Sequence, residues 1–189
     1  MSGLFKRPTI EAGFEFGEGP VAVLVDDFQE QCYWPGATHL LAEKVVQALL
    51  DQNVAKIVIP ASHMHQLRQG DPDFDEKSAA AVGRLVNADQ LLLLEIRSFD
   101  ATETPTEASA AARMSVAAKV INVLENNDRA KVRLWPRSHE GEVIEADITA
   151  AAITRAKSRE AILDELTKAL AERVVRRFYD RPMEDFEKG

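Results

Sequence analysis

Two unbroken apolar runs stand out along the chain, at residues 21–25 (VAVLV) and 91–94 (LLLL), the second passing into alternation up to Phe99. A short continuous run marks a strand buried on both faces, and alternation marks a strand with one wet face. Both segments are therefore predicted as strands. Between them, Leu41, Val45 and Leu49 repeat every four residues with Ala42, Val46 and Leu50 beside them. That is one wide apolar stripe, which predicts a helix over residues 36–52. Residues 56–59 read as a further short strand ended by Pro60, and strand–helix–strand makes a right-handed crossover between parallel strands the default. A short helical turn is expected at 61–69, broken by Gly70, Asp71 and Pro72. Asp73 and Glu76 have capping-box spacing, which predicts a helix over 75–86 with Ala79, Val82, Leu85 and Val86 inward. Gly83 lets that helix approach the sheet closely.

The second half reads differently. Residues 100–110 are polar and read as a loop. Residues 113–124 alternate weakly and end in β-branched side chains, so a strand is expected. Glu125, Asn126, Asn127 and Asp128 form a turn, residues 131–135 its hairpin partner, and residues 142–148 an edge strand. Residues 149–156 fit no pattern. Residues 158–179 carry the strongest helical signal, with Ile162, Leu166, Leu170, Val174 and Phe178 in one row. Acids lie early in it and arginines late, which suits the helix dipole. The expected fold is α/β: a mixed sheet of about five strands, in the order β-α-β-α-β-β-β-α, with helices packed on it. An extended arm (1–20) precedes a single domain (21–182) and a short tail (183–189). Phe5, Ile10, Phe14 and Phe16 punctuate the arm without a period; it either packs an aromatic or two onto the domain or binds a partner.

The chain has 189 residues, 46% hydrophobic and 29% charged, the balance of a soluble globular protein. Its net charge of −8 argues against nucleic acid as a partner, because phosphate contacts need a basic face. It argues equally against charge-driven binding to an anionic membrane. No segment approaches the roughly 18 apolar residues of a membrane span. The single cysteine, Cys32, excludes an internal disulfide. The amino terminus lacks the apolar stretch of a secretory signal, which leaves a cytoplasmic protein or one whose leader lies outside this sequence.

Candidate chemistry is sparse. Asp26 and Asp27 follow a buried strand, the place where open α/β sheets hold ligands. Paired carboxylates there could hold Mg²⁺ or a proton, or simply end the strand. Gly17 and Gly19 precede a strand instead of leading from one into a helix, so the dinucleotide fingerprint fails. His63 and His65 with Asp71, Asp73 and Asp75 suggest a metal cluster, but the two histidines share a face only in an extended segment. A calcium loop would need Gly where Glu76 stands and Glu where Val82 stands. Cys32 and His39 lack an orienting acid. Trp135 and Pro136 read as a packed hairpin end. Arg173, Arg176, Arg177 and Arg181 are a solvated helix face or a docking patch for an acidic partner. No catalytic, cofactor-binding or metal-ligating residue is assigned.

Several phrases carry a resemblance: VAVLVDDF at residues 21–28, GRLVNADQLLLLEI at 83–96, the strand pair ending VRLWP, and the final helix ending RRFYD. Together they resemble the small α/β domain of bacterial envelope accessory proteins. That group takes in the amino-terminal domain of the Tol-Pal translocation protein, the curli-secretion lipoprotein and lipoprotein activators of penicillin-binding proteins. The resemblance spans residues 21–180 and implies a non-enzymatic module that scaffolds envelope machinery or binds partner proteins. Many such domains are lipid-anchored through a cysteine at the mature start; residues 1–31 hold none. The expected function is therefore a binding or scaffolding domain of the cell envelope, without a cofactor. Contacts would come from Phe14, Phe16, Arg173, Arg176 and Arg177, with homo-oligomers through an open sheet edge. The rival is a cytoplasmic Mg²⁺- or nucleotide-binding domain that uses Asp26 and Asp27.

Overall fold

A computed structural model describes residues 8–101, 110–125, 128–149, 151 and 158–183. Phe5, most of the loop expected at 100–110, the middle of the turn at 126–127, most of the unpatterned stretch at 149–156 and the tail beyond 183 lie outside the described residues. The main sheet is mixed and five-stranded. Strand β2 (Val21–Asp26) runs parallel to β3 (Gln90–Ala101), from Val21 opposite Gln90 to Asp26 opposite Glu95. Strand β4 (Ala110–Asn122) is antiparallel to β3, with a register shift between Ile96 and Ser98. The outer side of β4 is shared by β5 (Arg133–Trp135), opposite Val120 and Ile121, and β6 (Glu142–Thr149), opposite Ala118 to Ala110.

Helices cover the sheet unequally. On one face, α1 (Ala37–Asp51) and the last helix, α5 (Arg159–Val175), press Leu41, Val45, Leu49, Leu166, Leu170 and Val174 onto Val23, Val25, Leu92, Leu94, Val116, Val120 and Ile144. On the other face, α2 (Ala61–Gly70) and α3 (Ala79–Leu85) enclose Ala22, Leu24, Leu91, Ile121 and Val123 with Met64, Phe74, Val82 and Val86. Strand β2 lies in both clusters, so all six of its residues are buried, which accounts for its unbroken apolar run.

Several elements depart from the sequence expectation. Residues 56–59 form one parallel bridge, Val58 to Val21, and no strand. Pro60 follows at once and begins α2, a full ten-residue helix in place of the expected turn; a proline's fixed φ suits a helix start and its missing N–H ends a ladder. The helix expected from Asp75 begins instead at Ala79. Phe74 is buried within a 3-10 turn (Phe74–Glu76), and Ser78, with its hydroxyl accepting from Ala81 N at 3.2 Å, supplies the cap. Residues 100, 101 and 110, expected in a loop, extend β3 and β4. Lys131, expected in a strand, lies in a short helix α4 (Arg129–Val132) capped by Asp128. β6, not β5, is the long partner of β4, because Ile144, Ala146 and Ile148 bury every second side chain.

The arm is held tightly. Strand β1 (Thr9–Ile10) pairs antiparallel with β7 (Arg181–Pro182). Gly13 N donates to Arg177 O at 2.7 Å, Ala12 N to the Asp180 carboxylate at 2.8 Å and Gly17 N to Gln90 Oε1 at 2.7 Å. A Cβ on Gly13 would stand 3.2 Å from the Trp135 indole nitrogen, so glycine is what lets the arm lie against that ring.

Candidate functional site

The two strand-end aspartates have different surroundings. Asp26 ends β2, is only 8% exposed and stands beside Arg68, Asp75 and Glu95. Burial pushes its carboxyl up to about 6; the Arg68 charge opposes the rise, and Asp75 and Glu95 add to it. Arg68 is itself fixed. Its Nε pairs with Asp75 Oδ1 at 3.0 Å, its Nη1 donates to Val25 O at 3.1 Å, and its guanidinium lies 4.9 Å from the Phe74 ring centre. Glu95 is bound by Lys119 at 2.8 Å and Arg97 at 3.2 Å.

Asp27 organises the loop that follows. Its Oδ1 accepts from Gln31 N at 2.8 Å and its Oδ2 from Cys32 N at 2.9 Å, while Glu30 adopts a left-handed φ of 49°. Each Asp27 oxygen thus already accepts one backbone N–H. The loop so closed displays Phe28 and Tyr33, each 64% exposed, and Tyr33 and Trp34 both meet Phe99 edge-on at 5.2 Å between ring centres. Burial pushes the Cys32 thiol up, away from the reactive thiolate, and its nearest partner is Trp34 O at 3.9 Å.

The other candidates fall into place around this. His39 stacks on His65 at 4.2 Å between ring centres, with Glu43 3.3 Å from its Nε2. His63 and His65 lie on α2, so helical spacing sends them apart, with Met64 buried between. Asp71 is held below the usual carboxylate range by Lys77 and the Asp73 N–H, and Asp75 is taken by Arg68. Among the described residues, no three His, Cys, Asp or Glu side chains are grouped to hold a metal ion. Phe14 and Phe16 turn inward: Phe16 meets Phe14 at 5.4 Å and Phe178 at 5.0 Å, and Trp135 meets Phe178 at 5.2 Å. Arg173 donates to Glu145 O at 2.6 Å on the edge strand, and Arg177 pairs with Glu142 at 2.5 Å. Arg176 lines a cavity between α1 and α5 with Ala48, Gln52 and Tyr179.

Sequence reasoning overlooked Arg68, Glu95 and Lys119. Glu95 had a signal, the first charge after LLLL, set between the buried Leu94 and Ile96. Arg68 had none, since only the tertiary packing of α2 brings it to the end of β2. Phe28 and Tyr33 were also passed over; their exposure depends on the loop that Asp27 closes.

No protein-family model matches the chain, and no curated protein does. Solved structures do. A dodecamer of a PelC variant from Paraburkholderia phytofirmans superposes with a TM-score of 0.51 at 12% identity, covering 92% of this chain and 98% of that one. The hypothetical protein CT253 from Chlamydia trachomatis has a TM-score of 0.50 at 17% identity, covering 85% and 95%. Lipoprotein GNA1162 from Neisseria meningitidis reaches 0.45 at 13% identity, covering 82% and 96%. At these identities the first two likenesses are of fold. Among the described residues, no helix is long and apolar enough to cross a membrane.

Proposed function

We propose that this chain is a non-enzymatic binding and scaffolding domain of the bacterial cell envelope that works as a multi-copy assembly. The observation that carries the reading is its end-to-end likeness in fold to PelC, a protein crystallised as a dodecamer. The phrases at residues 21–28 and 83–96 support the envelope assignment. The polar groups at the end of β2 support the non-enzymatic one, because Asp27, Arg68, Glu95 and Lys119 are engaged in holding loops and strands. The working unit takes in residues 8–183, arm included, since the arm is hydrogen-bonded to the last segment of the chain.

Partner contacts fall to the exposed loop bearing Phe28 and Tyr33, since aromatic side chains dominate interface energetics. Of the contacts suggested by sequence alone, Phe14, Phe16, Arg173 and Arg177 already have partners within the chain and are weaker candidates. Mass photometry of the purified protein tests the assembly, and crosslinking in an envelope extract tests the partner. A monomer at every concentration, with no envelope protein crosslinked through the loop, would sink the reading.

A further inference from the structure

A cavity of about 220 Å³ opens between α1 and α2, beside the end of β2. Its floor is apolar, made by Val23, Val25, Ala42, Ala61 and Met64, and its rim carries Thr38, His39, His65 and Arg68. The rim holds hydrogen-bonding capacity that the fold does not use. Arg68 is locked through Nε and Nη1, yet its Nη2 meets no partner among the described residues. The Thr38 hydroxyl and the ring nitrogens of His65 likewise find none there. Stacking on His39 fixes the His65 ring in place. Of the acids nearby, Asp75 is paired with Arg68 and Glu43 with His39, while Asp26, also beside Arg68, is buried, and burial favours its neutral form. An apolar hollow with a few fixed donors is the usual make-up of a small-molecule site, and one this small, under the roughly 300 Å³ at which such sites begin, takes a ligand of few atoms.

We propose that this cavity binds a small carboxylate with a compact apolar body, an assignment independent of the assembly reading above. The carboxylate would accept from Arg68 Nη2, from the Thr38 hydroxyl and from His65, and the body would lie on the Val23–Val25 floor. Arg68 is suited to the task because its geometry is set in advance by Asp75, Val25 O and the Phe74 ring, so little ordering accompanies binding.

The test is a titration of the full chain with sodium isovalerate, followed by backbone and histidine-ring NMR shifts. Inorganic phosphate and isoamylamine serve as controls for charge without body and body without negative charge. The expected result is saturable shifts at Thr38, His65 and Arg68 with isovalerate, weaker shifts with phosphate and none with the amine. Arg68→Gln should weaken isovalerate about tenfold, the loss expected for one hydrogen bond to a charged group, and Thr38→Val and His65→Asn should weaken it less. Arg68 also holds α2 to β2, so if Arg68→Gln fails to fold the two rim variants decide. Shifts confined to other parts of the surface, phosphate binding as tightly as isovalerate, or unchanged affinity in the rim variants would each overturn the proposal.

Discussion

Asp26 and Asp27 are adjacent in sequence, yet substituting them should have opposite effects. The Asp26 carboxyl is raised from 3.8 to about 6 in the fold, so the native state favours its protonated form. Its contribution to stability is fully present below pH 4 and is lost as the pH rises through 6. Asp26→Asn should therefore stabilise the protein at pH 8, by up to about 2–3 kcal/mol, and leave it nearly unchanged at pH 4. Asp27→Ala removes the acceptor of two backbone N–H groups and should destabilise at pH 8 by about 1–3 kcal/mol. Thermal melts of both variants at the two pH values check this, and equal shifts in the same direction would contradict it. The pair was visible in the sequence. Alternation along a strand also says that neighbours face opposite ways. What was not legible is that Arg68 and Glu95, distant in sequence, surround one aspartate while the backbone of residues 31 and 32 takes the other.

At the scale of elements, the helix that begins at Ala79 shows how far pattern reaches. Gly83 was readable as a point of close approach, and a Cβ there would lie 2.5 Å from Val123 Cγ2. Gly83→Ala gains roughly 1 kcal/mol of helix propensity but must push α3 off the sheet. A net loss of about 1–2 kcal/mol in urea unfolding is expected, because overpacking a tight core outweighs propensity. A stabilised variant would mean that α3 has room to shift. The long final helix was equally legible in Leu166, Leu170 and Val174, all buried, but it ends at Val175, so Phe178, read as the end of its apolar row, is buried from the turn that follows. The small elements were not. Val58 and Ile59 have strand-forming side chains, but Pro60 ends their pairing after a single bridge. The start of α3 was misplaced because two residues compete as cap, Asp73 and Ser78, and the burial of Phe74 decides for the second. Arg173 and Arg177 read as a solvated helix face or a docking patch; that they reach across to β6 depends on which strand lies beside α5, and no local signal carries that.

For the whole molecule, the net charge of −8 sets the terms of self-association. Copies carrying like charge repel over about a Debye length, roughly 10 Å at 0.1 M salt. Association through the proposed assembly should therefore strengthen as salt rises from 0.05 to 0.3 M, which light scattering at fixed protein concentration would register. Weakening instead would mean that complementary ion pairs hold the copies together. The α/β class and the mixed sheet followed from the contrast between unbroken and alternating runs. The edge strand at 142–148 was legible too, but that it and not residues 131–135 would be the long partner of β4 was not, because both segments carry strand signals and only their packing separates them.

The short ladder between Thr9–Ile10 and Arg181–Pro182 has a mechanical consequence. Thr9 lies opposite Pro182, so the flanking backbone departs from the same end of the ladder on both sides. Tension applied through those flanks would load its hydrogen bonds one after another instead of all together, like a zip fastener opened from its tab. In an optical trap, handles attached at residues 8 and 183 should record a small early rip as residues 8–16 peel away, then a larger one as the five-stranded sheet gives. A tether acting through these ends in the cell would meet the same weak first step.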